Sequence, residues 1–505
     1  MAAVVGLVGG LVVEMLPRVG GDLVAQRWWM SWAASAAGQP VDLAWYAGSP
    51  AVSYSLVAPW VLASVGTAVA GVLSTATGAW ATTVLLARAG AVRLPLVAVA
   101  AALANLANQL SGRLTFAMGT AVALLALVLV GARPGSRVRR VGAGMLAAVS
   151  GALSPVAAVL LGLAAVAWWW GGARRSRRGW DVVALLVGAG LPLAGMLLLH
   201  AAGGPMTGST HQMLAATTAA LVVLAVAGPG LPVVRAGATL TALLLLATWV
   251  LPDPMGSNST RMVLLFAAPV LMAAPGRSTA LVGLATALVT WLLPPLVPDD
   301  LVVRDPAVQA RTAAPLLAEL DRRGPVGRVE VVPMADHSDA TLGQQVPLAR
   351  GWTRQLDVAR NPLFYDGSLD AGSYLDWLRA RGVSFVALSD SRPDWAGRDE
   401  ATLVRDGVPG LQRIWSDGTW TLYAVDGPGV VLDGPAELTT SGRRELTLVV
   451  TDPGEVTLSM FWDERLTLVG EGCLSPGPTP GTVVVEASAA GAVTVTSSWW
   501  PSGHC

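Results

Sequence analysis

WLLPPLVPDDLVVRD, Trp291 to Asp305, is where the chain changes character. Before it, from Met1 to about Pro298, hydrophobic runs alternate with brief interruptions carrying Arg, Gly or Pro. After Asp299 charged and apolar residues mix as they do in a water-soluble protein. The 505 residues are 53% hydrophobic and 13% charged, with a mean hydropathy of +0.57, too apolar for a soluble protein of this size. The composition is that of a membrane protein. Formal net charge is zero and no basic cluster lies outside short loops, so nucleic-acid binding has no support. Every basic residue is arginine, in a chain crowded with Ala, Gly, Val and Pro, which points to GC-rich codon usage and a bacterium.

Eleven apolar runs, at about 1–17, 55–86, 94–110, 114–132, 141–153, 156–171, 181–201, 213–228, 237–251, 262–275 and 279–297, are candidate spans, several of them short of the roughly 20 residues a spanning helix needs. Cytoplasmic loops collect arginine. Two clusters, Arg133, Arg137, Arg139, Arg140 and then Arg174, Arg175, Arg177, Arg178, therefore face the cytoplasm, with Arg88, Arg93, Arg235 and Arg277 on the same side. The apolar stretch 141–171 between them must cross and return, with Ser154-Pro155 as its turn. Eleven spans of a plasma-membrane protein then leave the N-terminus cytoplasmic and the region from about 299 extracytoplasmic. Met1 begins almost inside the first run, with no basic n-region and no small-residue cleavage site, which reads as an anchor and not a removable signal peptide. The two cysteines, Cys473 and Cys505, both lie in the extracytoplasmic tail, where an oxidising milieu allows a disulfide; two unrelated thiols are the alternative.

The first outer loop begins PRVGGDLVAQRWW, Pro17 to Trp29, and its acid, Asp22, follows directly on the first run. Leu23 to Ala34 has helical spacing with Trp28, Trp29 and Trp32, a pattern suited to an interfacial helix in the headgroup layer. Asp22 at its start could simply cap that helix. The sequence continues through Trp45-Tyr46-Ala47-Gly48-Ser49-Pro50 to Tyr54-Ser55. Later landmarks are Gly112-Arg113-Leu114-Thr115-Phe116-Ala117-Met118-Gly119, Leu153-Ser154-Pro155-Val156-Ala157 and Asn258-Ser259-Thr260-Arg261.

In this order, over the first 300 residues, these segments resemble the polytopic GT-C glycosyltransferases, and most of all the bacterial membrane proteins called "6-pyruvoyl-tetrahydropterin synthase-related". The resemblance implies a membrane glycosyltransferase using a polyprenyl-phosphate-linked sugar, with an extracytoplasmic glycan or lipid as acceptor. It makes Asp22 the general base or the organiser of a metal, since a sugar hydroxyl must lose a proton as it attacks the anomeric carbon. Arg261, Arg113, Arg18 and Arg27 are the candidates for the lipid phosphate, with interface anchoring as their alternative role. Trp45 and Tyr46 are candidate substrate contacts. Many GT-C enzymes carry two acids close together, whereas Asp22 stands between Gly21 and Leu23, so a divalent metal is not indicated; Asp42 or Asp253 could supply a second carboxylate. Glu14 is the one acid inside an expected span. His200 and His211 lack an acidic or thiol partner nearby and make a poor metal signature.

The tail reads as an α/β domain over 299–425, following a GT-C-like transmembrane domain over 1–298. Helices are expected at Ala313–Arg323 and Tyr374–Arg381, strands at Val329–Val332 and Ser384–Leu388, and a hairpin around Asp417-Gly418. The stretches Pro347–Trp352, Arg354–Asp357 and Asn361–Tyr365 are rich in sugar-binding groups, or form a loop that packs internally. From 426 to 505, short alternating runs split by Gly, Pro and Asp read as a β-sandwich, which could present Trp462, Trp499 or Trp500 to carbohydrate. Beside transfer, two other functions are consistent with the sequence: a transporter or flippase, disfavoured by the lack of an internal repeat, and an inactive relative serving as an envelope-assembly module.

Overall fold

The computed structural model describes residues 1–16, 21–35, 38–50, 55–132, 136–172, 175–199, 204–206, 208–296 and 306–505. Arg18, Gly20, Tyr54, Arg133, Arg174, His200 and Asp299 lie outside them. The chain forms two compact units, Met1–Pro17 with Tyr54–Val303, and Arg18–Ser53 with Arg304–Cys505. The segment 18–53 thus groups with the tail, not with the apolar segments on either side of it.

In chain order the helices of the first part are α1 (Ala2–Met15), α2 (Asp22–Ser35), α3 (Ala58–Val65), α4 (Thr67–Arg88), α5 (Leu94–Leu110), α6 (Leu114–Ala132), α7 (Arg137–Leu153), α8 (Pro155–Gly171), α9 (Arg175–Leu199), α10 (Thr210–Ala227), α11 (Pro232–Val250), α12 (Arg261–Ala273) and α13 (Thr279–Leu292). All but α2 belong to the first unit. Among the described residues, α4, α6, α10, α11 and the Gly179–Leu199 part of α9 are long and apolar enough to cross a membrane. The run at 55–86 is divided, because Gly66 takes φ +80 and its N–H closes α3 on Leu62. Between α7 and α8, Ser154 leaves helical geometry and its hydroxyl accepts from the Ala157 N–H, while Pro155 starts α8 where no N–H is needed.

Small residues let these helices approach closely: a Cβ on Gly188 would lie 2.2 Å from the Gly144 carbonyl oxygen. Several polar side chains inside the bundle are paired. Gln109 on α5 donates to Glu14 at 2.7 Å and accepts from Thr75 at 2.8 Å, and Arg140 meets the fully buried Asp181 at 2.9 Å. Arg93 donates to the carbonyl of Ala274 at the end of α12, and Arg277 to that of Val226 at the end of α10, filling acceptors that a helix terminus leaves open.

The second unit joins α2 and a two-stranded ribbon, β1 (Val41–Asp42) and β2 (Ser49–Pro50), to everything after Pro306. Its α/β part comprises α14 (Pro306–Arg322), β3 (Val329–Val331), α15 (Asp339–Leu342), α16 (Arg354–Arg360), α17 (Ala371–Ala380), β4 (Phe385–Ser389), α18 (Arg398–Asp406), β5 (Leu411–Ser416) and β6 (Trp420–Val425). The sheet order is β3-β4-β6-β5, parallel only between β3 and β4, and Asp417-Gly418 turns the β5–β6 hairpin. Tyr374, Trp377 and Leu378 of α17 and Val404 of α18 share a core with Val386 and Leu388 of β4.

Eight further strands follow, β7 (Val431–Asp433), β8 (Ala436–Ser441), β9 (Leu446–Val450), β10 (Gly454–Ser459), β11 (Leu466–Val469), β12 (Gly472–Pro476), β13 (Thr482–Ala487) and β14 (Gly491–Ser497). They form two four-stranded sheets, β12-β13-β10-β7 and β11-β14-β9-β8. Alternate residues such as Leu446, Leu448 and Val450 face Val456, Leu458, Val483 and Val485 in one apolar core, the two-residue period of a sandwich. Val41 and Leu43 enter that core too. Cys473 and Cys505 form a disulfide.

Candidate functional site

Asp22 opens α2, and the helix does not present its indoles to lipid as its sequence suggests. Trp28, Trp29 and Trp32 are buried; Trp28 stacks on Trp45 at 4.2 Å, and the Arg443 guanidinium covers Trp28 at 3.9 Å. The same arginine binds Asp42 at 2.9 Å. A cation with a carboxylate partner and an aromatic face gains more from internal packing than the indoles would gain in a headgroup layer. Asp42 is fully buried in this pair, which leaves it no role as a second reacting carboxylate. Asp253 is used locally, accepting from the N–H groups of Met255 and Gly256.

Trp45 and Tyr46 are interior residues, 0% and 1% exposed. Tyr46 and Ala47 take positive φ, and the Arg360 guanidinium donates to the carbonyls of Tyr46 and Gly48. The Tyr46 hydroxyl donates to the Gly351 carbonyl and accepts from the Thr353 N–H. Their ring faces are therefore taken by protein: they bind the outer loop to the 347–353 segment. Arg27 is half-buried on α2.

Beyond Trp45, the segment 347–365 consumes most of its own polar groups. Arg350 is buried within 3.3 to 3.6 Å of Glu330, Asp357 and Glu400, and lies over Phe364 at 3.8 Å. Burial and then the Glu400 charge hold Glu330 well above the usual carboxylate range. Tyr365 donates to Asp357 and accepts from Arg354, whose second nitrogen meets Asp394 at 2.7 Å. Arg354 also lies near the rings of Trp352 and Trp395, at 4.7 and 4.8 Å, and Trp395 is exposed. Of the two expectations for this segment, internal packing accounts for Arg350, Asp357, Asn361 and Phe364, all buried.

One residue that the sequence did not single out stands out here. His337 takes φ +57, stacks on Trp352 at 3.4 Å, and buries an Nδ1 that has no hydrogen-bond partner. An unpartnered buried polar atom costs about 1–3 kcal/mol and a left-handed non-glycine residue a similar amount. Burial lowers its pKa to about 4, against the fields of Asp394, Asp22 and Asp336, so the ring is neutral near pH 7. Only tertiary structure could reveal it, since its burial and its stack on Trp352 are not properties of the residues beside it in sequence.

In the first unit, Arg113 and Arg261 line one pocket together with Asn108, Phe116, Leu265 and Pro295. Arg113 precedes α6, and Arg261 begins α12 where it continues from the single 3-10 turn Gly256–Thr260; Arg261 is buried and covers the Phe116 ring at 4.9 Å. The amide nitrogen of Asn108, also buried, has no hydrogen-bond partner. Two guanidinium groups and an N–H donor without a partner give this pocket a lining suited to an anion. Phe116 and Leu265 also belong to the apolar cluster of Ala157, Leu160, Met262 and Phe266. Those last four line a second space, a cavity of about 220 Å³ whose walls are nearly all hydrocarbon, contributed by α4, α6, α8, α10, α11 and α12. It is larger than the roughly 150 Å³ cavity that holds benzene in an engineered core. The Arg113–Arg261 pocket itself is small, about 10 Å³, and no residue lines both spaces; the apolar cluster of Phe116 and Leu265 lies between the two sets of walls. The exposed His211 and the hydrogen-bonded Glu14 lie outside both spaces.

The site and fold together define a polytopic membrane protein with a folded water-soluble part. No family model matches the sequence, and no curated protein does. Among solved structures the chain is similar to the arabinofuranosyltransferase AftD from Mycobacteria, determined by single-particle cryo-EM, at 15% identity and a TM-score of 0.47. The likeness covers 98% of this chain and 59% of that one, so this chain spans about three-fifths of that protein's length.

Proposed function

We propose that this protein is a GT-C-like membrane glycosyltransferase that moves a sugar from a polyprenyl-phosphate donor to an extracytoplasmic glycan or lipid. The observation that supports the reading is the grouping of Arg113, Arg261 and Asn108 around one small pocket whose Phe116 and Leu265 belong to the same apolar cluster as residues lining a hydrocarbon cavity. A lipid phosphate supplies both the anion and the chain. In transfer, the acceptor hydroxyl attacks the anomeric carbon, its proton passes to a carboxylate, and the bond to the lipid phosphate breaks to release polyprenyl phosphate. Asp22 is that carboxylate in this reading. The two arginines stabilise the charge that grows on the departing phosphate. The reading keeps eleven crossings, a cytoplasmic N-terminus, and 299–505 outside the membrane on the extracytoplasmic side.

The test is transfer by the purified full chain in detergent, given polyprenyl-phosphate sugars, arabinofuranose among them, and oligosaccharide acceptors. Asp22→Asn is expected to lower kcat at least about a hundredfold. Arg113→Gln and Arg261→Gln are expected to raise the donor KM at unchanged monodispersity. Wild-type protein that turns over nothing, yet moves labelled polyprenyl phosphate between leaflets of a vesicle, would establish the flippase reading instead.

A further inference from the structure

Every aromatic residue of the β-sandwich lies at 461–462 or 499–500, and none of them is in a strand. β11 and β14 pair antiparallel with Leu466 opposite Ser497, so the turn before β11 and the segment after β14 meet at one end of the sandwich. The pairing runs on past the strands, the Ser498 N–H donating to the Arg465 carbonyl at 2.8 Å. Phe461 is used internally, under the guanidinium groups of Arg360 and Arg381 at 3.9 and 4.6 Å. Trp462 rests on the edge of the apolar core, donates to the exposed Glu464 at 3.1 Å and meets the exposed His504 ring at 5.0 Å. His504 is held by its Nε2 on the Leu466 carbonyl at 2.7 Å; a carbonyl only accepts, so Nε2 carries the hydrogen and Nδ1 of the neutral ring is an acceptor. Trp499 is anchored by its Nε1 on the Gly38 carbonyl at 2.7 Å, with Arg465 at 5.8 Å from its ring, yet stays 42% exposed. Trp500 is 89% exposed.

We propose that this end of the sandwich is a non-catalytic glycan-binding site, which holds a neutral oligosaccharide on the indoles of Trp499 and Trp500 with Glu464 and His504 accepting from its hydroxyls. A sugar ring has C–H groups on its face and hydroxyls at its rim, the complement of an indole face flanked by hydrogen-bond acceptors. Tryptophan brings a large contact area on a side chain with few rotors, and the bond from Trp499 to Gly38 fixes one ring in advance, which lowers the ordering cost of binding. Charge selects the class of ligand. Asp463 takes Arg465 at 2.6 and 2.7 Å, and Glu464 is left as the surplus charge of the turn. An anionic headgroup or phosphate would be repelled by it, whereas an uncharged polyol would not. The site goes beyond sugar transfer and does not require it.

The experiment titrates the full chain in detergent with neutral arabinan, mannan and glucan oligosaccharides by calorimetry. The wild type is expected to bind at least one of them, Trp500→Ala to raise its Kd at least about tenfold, and Trp500→Phe, which keeps an aromatic face, to recover part of that. Because Trp500 is so exposed, both variants should unfold at the wild-type midpoint. A second arm uses unmutated protein: N-bromosuccinimide oxidises Trp500, and the bound oligosaccharide at twice its Kd slows the reaction about threefold, read by peptide mass spectrometry. A wild type that binds none of the probes overturns the site, as does binding whose Kd Trp500→Ala leaves unchanged and which gives Trp500 no protection. In vesicles of brominated phosphatidylglycerol, emission quenched more strongly in the wild type than in Trp500→Phe would put this indole in lipid and overturn the glycan site. Trp500-dependent binding by a chain that transfers nothing supports the site and counts against the transferase; transfer without such binding does the reverse.

Discussion

At the scale of single residues, the second unit carries two buried groups with opposite pH signatures. His337 titrates at about 4 in the folded chain because burial disfavours its charge, against about 6.5 unfolded. Between those values the unfolded chain binds more protons, so stability is full above about pH 6.5 and falls as the pH drops toward 4. Asp339 is buried with its carboxylate on the Met334 N–H, and burial raises its pKa to about 7 from 3.8. Its contribution is complete below about pH 3.8 and is lost as pH rises through 7. Between about pH 4 and 6.5 the two slopes oppose one another, so thermal unfolding followed by tryptophan fluorescence should show a nearly flat profile for the wild type, stability falling as pH rises toward 7 in His337→Gln, and stability falling as pH drops toward 4 in Asp339→Asn. Gly351 sets a steric limit of the same locality: a Cβ would sit 2.4 Å from the Trp45 ring. Gly351→Ala should cost about 1–3 kcal/mol or more, read as a lower unfolding midpoint, while Gly367→Ala, with open space around it but a strained φ of +81, should cost less.

Among elements, the last strands show how a short polar tail is kept in place. Leu474 donates to the Gly503 carbonyl, Cys505 donates back to Leu474, and the disulfide closes a separation of 32 residues. A loop of that size corresponds to about 3–4 kcal/mol of lost unfolded-state entropy. Cys473→Ser with Cys505→Ser should lower the stability of the sandwich by about that much and leave the helical unit unchanged, as hydrogen exchange of the two would separate. Periodicity made much of this level readable. The strands at β9, β10, β13 and β14 and the helices α14 and α17 follow from alternation or helical spacing in their own residues. β7, β8, β11 and β12 show less of this alternation, since polar residues and adjoining Gly or Pro interrupt their apolar positions. Gly66, at φ +80, likewise divides a run whose apolar content gave no sign of a break.

For the whole molecule, the assignment of 18–53 to the water-soluble unit matters most. Val41 and Leu43 complete the sandwich core, Asp42 pairs with Arg443, and Trp45 and Tyr46 fill the space against Gly351. A fragment of 304–505 alone should therefore expose apolar surface and aggregate. The same fragment with 18–53 joined by a flexible linker should be monodisperse and give a cooperative unfolding transition; identical behaviour of the two would show that the loop adds nothing to the unit.

Apolar composition, the arginine pattern and the change at Trp291–Asp305 are properties of the linear chain, and the hydrophobic effect acts on them wherever the residues end up. That is why an apolar helical part and a tail of mixed composition were legible. Partnership was not. That Arg113 and Arg261 line one pocket with Asn108, that the indoles of α2 turn inward, and that Trp28 stacks on Trp45 beneath Arg443 depend on residues up to several hundred positions apart. Burial, ion pairing and unpartnered polar atoms are defined only by what surrounds a group, and folding alone supplies those surroundings.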